Sequence, residues 1–283
     1  MKDRIIYIET STSLTSVALS EQGRIVAYRQ TDVPRSQASL TAPFIDALLR
    51  ERGLTVKDCD AVCVSKGPGS YTGLRVGSST AKGLCFGADL PLIAVGTLDT
   101  LVAQAQDDGL VPEGCKYIIP MIDARRMEVY SAVFSAAGER LTEISPVIVD
   151  GTTYAARLAE GTVLFIGDGA LKCRDIIYGT AEAGDCEYGK AGNGTTEAGS
   201  AQAGDGLRGA FPEGSSPGSS MPAPASQPTA GVEAYFAGCC PRADAMLRPA
   251  MQALKAKRFE DTAYFEPFYL KQFVATVSAK KLF

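Results

Sequence analysis

The amino-acid sequence predicts an α/β protein built as two duplicated lobes, each with the order β-β-β-α-β-α. Three observations point there. A strand, a glycine turn, a helix and a second strand follow one another within residues 60–95. A similar succession of strands and helices runs again after a polar link at residues 107–114. Hydrophobic residues make up 46% of the 283 positions, normal for a globular chain that buries a sizeable core. We divide the chain into an N-terminal lobe (1–106), the link (107–114) and a C-terminal lobe (115–283).

In the first lobe, residues 5–9, 16–20 and 24–30 read as strands, with Glu21-Gln22-Gly23 as the turn between the last two. Residues 36–52 read as a helix carrying Leu40, Phe44, Ala47 and Leu48 on one face, with Ile45 and Leu49 beside it. Pro43 within it calls for a first-turn position or a kink, and Gly53 ends it. Ala61–Ser65 is apolar and too short for a helix, hence a buried strand. Gly67-Pro68-Gly69-Ser70 then breaks regular structure. Leu74, Gly77, Ala81, Leu84 and Ala88 return at steps of three and four, the spacing of a helix, and Leu92–Val95 is the next strand. This is the pattern of a right-handed parallel crossover. A helix over residues 98–105 closes the lobe.

The glycines of the crossover helix need a reason, because an interior glycine costs about 1 kcal/mol relative to alanine. Gly73 and Gly77 are four apart, as are Gly83 and Gly87, so each pair shares a face. With Thr80 they form a smooth strip against which either the helix's own sheet or a second helix can lie very close.

In the second half, residues 117–123, 128–135 and 140–149 read as strands around a turn at 136–138, followed by a helix at 154–159 and a strand at 163–166. An acid ends the first strand in both halves, Glu9 and Asp123, and Gly167-Asp168-Gly169 follows the fourth strand as Gly67-Pro68-Gly69 does earlier. Residues 181–229 are mostly Gly, Ala, Ser, Thr, Pro and Glu and predict a disordered insertion, since they cannot bury enough surface to offset their ordering entropy. Structure is expected to resume at 232–239, with a helix at 243–257 and an aromatic segment at 264–273. The duplicated plan is that of the actin/hexokinase/Hsp70-like ATPase fold, two lobes facing each other across a cleft.

The composition removes many chemistries. With no histidine anywhere, Ser-His-Asp triads, Cys-His pairs and HExxH metal sites are excluded. The 8 cysteines include no CxxC pair, which is neither a zinc nor a disulfide pattern, and they fit a reducing, cytoplasmic setting. No apolar run approaches the ~20 residues of a membrane span. A net charge of -4 without a basic cluster argues against strong nucleic-acid binding by this chain alone.

Gly67-Pro68-Gly69-Ser70-Tyr71-Thr72-Gly73 superficially resembles a phosphate loop, but Leu74 and Arg75 stand where a Walker A loop has Lys and Ser/Thr, and the spacing is not that of a dinucleotide fingerprint. We read Gly67 and Gly69 as structural, with Arg75 tethering the loop or meeting a partner. Glu9-Thr10-Ser11 and Asp123-Ala124-Arg125 stand where ATPases of this fold carry Asp-x-Gly, and both lack the glycine that lets backbone approach phosphate. The two acids could still hold Mg²⁺. We assign no catalytic, cofactor-binding or metal-binding residue. Arg125-Arg126 is either a solvated turn or a lip of the cleft that meets a partner or RNA.

Ile8-Glu9-Thr10-Ser11-Thr12, the stretch from Lys66 through Gly77, Ile122-Asp123-Ala124-Arg125 and Tyr269-Leu270-Lys271 resemble the TsaB (YeaZ) family. The resemblance covers nearly the whole chain outside 181–229. It implies a non-catalytic dimerisation subunit of the bacterial tRNA threonylcarbamoyladenosine machinery. The implied partner is TsaD, which carries the metal-binding histidines and modifies N6 of adenosine 37 in tRNAs reading codons that begin with A. The P-loop ATPase TsaE joins the pair, self-association through the same helices is possible, and tRNA is met only within the complex. The chain departs from the family in having Gln37-Ala38 where His-Ser or His-Thr is frequent, and in its long insertion. Taken with the smooth helix strip, the resemblance places the partner interface at Leu40, Phe44, Leu48, Gly73, Gly77, Thr80, Gly83 and Gly87, or on the neighbouring face at Ile45 and Val76. The rival is an active ATP-dependent transferase or glycoprotease-like hydrolase of the same fold.

Overall fold

A computed structural model describes residues 3–178 and 233–270; the expected insertion at 181–229 lies outside them. The first sheet is formed by β1 (Ile5–Glu9), β2 (Thr15–Glu21), β3 (Arg24–Thr31), β4 (Ala61–Ser65) and β5 (Leu92–Val95), in the order β3-β2-β1-β4-β5. β1 pairs antiparallel with β2 and parallel with β4, and β4 pairs parallel with β5. Every residue of β1 and β4 is buried, so these strands read as unbroken apolar runs rather than alternating ones.

The second sheet comprises β6 (Cys115–Asp123), β7 (Glu128–Ser131), β9 (Ser145–Ile148), β10 (Thr162–Ile166) and β11 (Ala234–Ala237), with β8 (Phe134–Ser135) paired to β6. Its order β9-β7-β6-β10-β11 matches β3-β2-β1-β4-β5 strand for strand, so the duplication is a property of the topology. The expected strand 128–135 is split, because Val133 leaves the ladder: its N–H donates to the Thr142 hydroxyl at 2.9 Å and its carbonyl accepts from Leu141 N–H. The expected strand 140–149 shrinks to β9, an edge strand containing Pro146, which has no N–H to extend a ladder.

α1 (Gln37–Glu51) and α2 (Tyr71–Ala88) cover one face of the first sheet. α1 ends in a Schellman turn: Gly53, at φ +64, donates to Arg50 C=O and Leu54 to Leu49 C=O. Pro43 is its seventh residue rather than a first-turn one, and it sits on the exposed side, where water can reach the Ser39 carbonyl it leaves unbonded. α2 starts on Ser70, whose hydroxyl accepts from Gly73 N–H at 3.3 Å.

The remaining helices revise the predicted lobes. Alternate residues of the first sheet, Ile6, Ile8, Val62 and Val64, pack under α1 and α2. The others, Ile5, Tyr7, Ala61 and Cys63, pack against Met246, Ala250 and Ala253 from the chain's far end. Those residues belong to a short 3-10 turn, Asp244–Met246, and to α6 (Leu247–Lys255), which together replace the single helix expected at 243–257. In the second sheet, Ile119, Met121, Val163 and Phe165 pack under α4 (Ala155–Glu160) and α5 (Ala170–Tyr178). Its other face, with Ile118, Ile122, Leu164 and Ile166, is covered by Leu98, Leu101, Val102 and Ala105 of α3 (Thr97–Asp107). The last helix of each half therefore covers the other half's sheet.

Polar contacts follow the same exchange. Arg242 grips Asp108 with two bonds of 3.0 Å, Ala243 N–H donates to the Ser16 hydroxyl, Glu260 N–H to Leu92 C=O and Phe268 N–H to Lys66 C=O. A cut at residues 107–114 divides the chain but not the packing, and residues 243–268 belong with the first sheet.

Candidate functional site

The turn after β1 is closed by the chain itself. A Cβ added at Gly69 would lie 2.3 Å from the Ser11 carbonyl oxygen, and one at Gly73 would lie 2.0 Å from that of Thr10. Ser70 N–H donates to Ser11 C=O at 2.6 Å, and the Thr10 hydroxyl donates to Gly73 C=O at 2.8 Å. Where loop and helix meet there is no room for a methyl group at either glycine. Gly67 is equally constrained, at φ +101 with the Phe268 carbonyl oxygen 2.8 Å from where its Cβ would be. At Gly67 and Gly69 the close backbone neighbours leave room for glycine only. Gln37 donates to Thr12 C=O at 3.4 Å and braces the same turn.

Glu9 lies beneath this turn, fully buried. One carboxyl oxygen accepts from Ser11 N–H at 2.7 Å and the other has no partner. Burial pushes the carboxyl up to about 7, against the hydrogen bond from Ser11 N–H that favours the ion.

The matching turn in the second sheet is closed differently. The Lys172 ammonium binds the Asp123 carboxylate and donates to the carbonyls of Arg126 at 2.8 Å and Glu128 at 2.7 Å. Asp123 N–H donates to Asp168 at 2.8 Å. Gly169 N–H donates to Met121 C=O, and a Cβ at Gly167 would come within 2.2 Å of that oxygen, so this turn too is held tightly against backbone. Burial pushes Asp168 up to about 6, against the hydrogen bond from Asp123 N–H. A magnesium site of the kind ATPases of this plan use does not fit these residues: Glu9 is sealed, with burial disfavouring its ionised form, and Asp123 is claimed by Lys172. Among the described residues, no group of 3 or more His, Cys, Asp or Glu is placed to hold a metal.

The glycine strip of α2 divides into two faces. Gly73 and Gly77 point into the molecule; a Cβ at Gly77 would meet the Thr10 hydroxyl at 2.4 Å, so neither glycine is available to a partner. Gly83 and Gly87 are exposed, with nothing within 4 Å of their Cβ positions. They share the outer face with Thr72, Arg75, Ser79 and Phe86, whose ring is 90% exposed. Beside them is a depression of about 490 Å³ lined by Val56, Lys57, Leu84 and the two glycines.

On α1, Leu40 and Phe44 are half-buried, as is Thr80 on α2. Leu48 and Ile45 are core residues, 2% and 3% exposed, and leave the list of partner contacts; Val76 is half-buried and stays on it. Arg75 reaches the glycine loop through Tyr71. Its guanidinium stacks over the Tyr71 ring at 4.2 Å, and that ring lies 4.9 Å from Tyr269. Phe86 was missed by sequence reasoning, although its place three residues after Gly83 and seven after Ser79 puts it on their stripe.

The 7 described cysteines are free thiols. No described helix is long and apolar enough to cross a membrane.

A family model described as "TsaD: tRNA N6-adenosine threonylcarbamoyltransferase" matches residues 31–176, just over half of the chain. The Bacillus subtilis tRNA threonylcarbamoyladenosine biosynthesis protein TsaB is 30% identical over 167 residues, covering 58% of this chain and 70% of that protein. The Escherichia coli protein of the same name is 37% identical over 131 residues, 46% of this chain and 54% of its own length, so about half of it is spanned. The solved structure titled "YeaZ from Pseudomonas aeruginosa" shares the fold, with a TM-score of 0.66 at 22% identity over 95% of this chain and 100% of that one. Element order, closed turns and relatives agree, and the chain belongs to the TsaB (YeaZ) family.

Proposed function

We propose that this chain is a non-catalytic subunit for tRNA threonylcarbamoyladenosine biosynthesis, the process named for its relatives. It pairs with a TsaD-type catalytic subunit through the outer face of α1 and α2, at Leu40, Phe44, Thr80, Gly83, Phe86 and Gly87, or on the neighbouring face at Val76. A TsaE-type ATPase joins the pair, a second copy of the chain can take the same face, and tRNA is met within the assembly.

One observation carries the reading. In both turns where an ATPase of this plan receives phosphate the glycine of Asp-x-Gly is missing and the chain's own groups make the close contacts, Ser11 and Thr10 against Gly69 and Gly73, and Lys172 against Asp123. A chain without histidine, whose two turns among the described residues lack the phosphate-approach glycine, is poorly suited to phosphoryl or acyl transfer, while an exposed glycine face with a projecting phenyl ring suits the close approach of another helix.

The test has two arms: titration of the isolated chain with Mg-ATP, and co-purification with a co-expressed catalytic subunit. The expected result is no ATP turnover, with co-elution that is lost in Gly83→Arg. ATP hydrolysis by the isolated chain would overturn the reading, as would retained co-elution by a folded Gly83→Arg protein together with Phe86→Ser.

A further inference from the structure

We infer that the loop between β6 and β7 is a built contact for the phosphodiester backbone of RNA, with Arg125 and Arg126 as its two prongs. The inference deepens the proposed function and rests on it for the identity of the RNA, a tRNA.

Arg125 and Arg126 are consecutive and both left-handed, at φ +72 and +52. Side chains other than Gly, Asn and Asp are disfavoured there, and two such residues in a row persist only where the surroundings over-determine them. The surroundings do so. Lys172 draws the carbonyls of Arg126 and Glu128 inward, Arg125 N–H donates to the Asp123 carboxylate at 2.7 Å, and Ala124 N–H and Glu128 C=O close the turn at 3.1 Å. With its carbonyls held inside, the loop displays both arginines at the surface, where both are exposed.

Among the described residues neither guanidinium has an ion-pair or hydrogen-bond partner. Lys172 neutralises Asp123, and Glu128 sits at the far end of the loop, at the start of β7. A loop shaped only for turning would do better with Asn or Gly at both positions. Two planar forks on adjacent residues suit the oxygens of neighbouring phosphates. The chain's net charge of -4 makes such a tip a weak binder of RNA on its own, measurable at low salt, whose main contribution is to the surface of the assembly.

The test replaces both arginines with Asn, which tolerates the left-handed backbone and has no charge, and separately with Lys. Bulk tRNA is titrated against the complex with the catalytic subunit over a range of NaCl, and against the isolated chain at low salt, with thermal unfolding and co-elution read alongside. For the Arg125→Asn/Arg126→Asn pair we expect affinity about tenfold or more weaker near 0.1 M salt, and a log-affinity versus log-salt slope shallower by about two, one for each lost phosphate contact. The unfolding midpoint is expected unchanged or raised, co-elution intact, and the Lys pair close to wild type in slope.

Unchanged tRNA affinity and slope in the Asn pair would overturn the inference. Loss of co-elution in that pair would also overturn it, making the tip a protein contact, as would displacement of tRNA by millimolar inorganic phosphate, which would mark a small-anion site. If the wild-type chain fails to assemble with the catalytic subunit, the proposed function falls, while the low-salt titration of the isolated chain still decides the loop.

Discussion

Glu9→Gln is the substitution whose effect the structure specifies most closely. The carboxyl is fully buried, one oxygen accepts from Ser11 N–H, the other has no partner, and burial raises its pKa from an ordinary 4.5 to about 7. A carboxyl whose pKa is higher folded than unfolded favours the fold while protonated. That advantage is complete below about pH 4.5 and is lost as pH rises through about 7. At roughly 1.4 kcal/mol per pH unit the whole effect is about 3 kcal/mol, with about 2 kcal/mol of it falling between pH 5.5 and 8. Glutamine keeps the acceptor for Ser11 and never ionises. Urea unfolding at several pH values should therefore show the variant close to wild type at the acid end and about 3 kcal/mol more stable near pH 8, with a flatter profile. Parallel profiles for the two proteins would refute the reasoning, because they would mean that Glu9 is ionised in the fold at no cost. An ionised Glu9 would also reopen the question of a magnesium ligand at this turn.

The glycines of α2 should divide by face. Gly73→Ala and Gly77→Ala press a methyl group onto Thr10 and should each cost roughly 1–3 kcal/mol or more in urea unfolding. Gly83→Ala and Gly87→Ala enter open space and should each add about 0.5–1 kcal/mol. Phe86→Ser should leave stability within about 0.5 kcal/mol, because the ring is exposed, while co-elution with the catalytic subunit falls. Lys172→Met removes the cation that holds Asp123 and two carbonyls; hydrogen exchange at Ala124 and Glu128 should accelerate, with a stability loss of about 2 kcal/mol.

The strands, the crossover and the closed turns were legible because their causes are local in sequence. Apolar runs such as Ile5–Glu9 and Ala61–Ser65 announce buried parallel strands, and the missing glycine at Ser11 announces a turn unsuited to phosphate. The long strands expected at 128–135 and 140–149 failed because β-pattern alone does not register a ladder broken at Val133 or an edge strand limited by Pro146. The interface residues were half legible. A four-residue spacing says that two glycines share a face but not which way the face points. Gly73 and Gly77 turned inward onto Thr10, Gly83 and Gly87 outward, and Leu48 went to the core.

The sequence by itself determined the duplicated order of elements, the absence of histidine chemistry and the family, since each is written in residue identity and spacing. Only the tertiary structure decided that α3 and α6 change places between the sheets, that Lys172 occupies the second turn, and that Phe86 projects from the outer face of α2. The reason is that a helix's apolar stripe states only that it must be covered. Which sheet covers it, the one that follows directly in the chain for α3 or the one at the chain's far end for α6, depends on how the whole set of faces is shared out so that none is left in water.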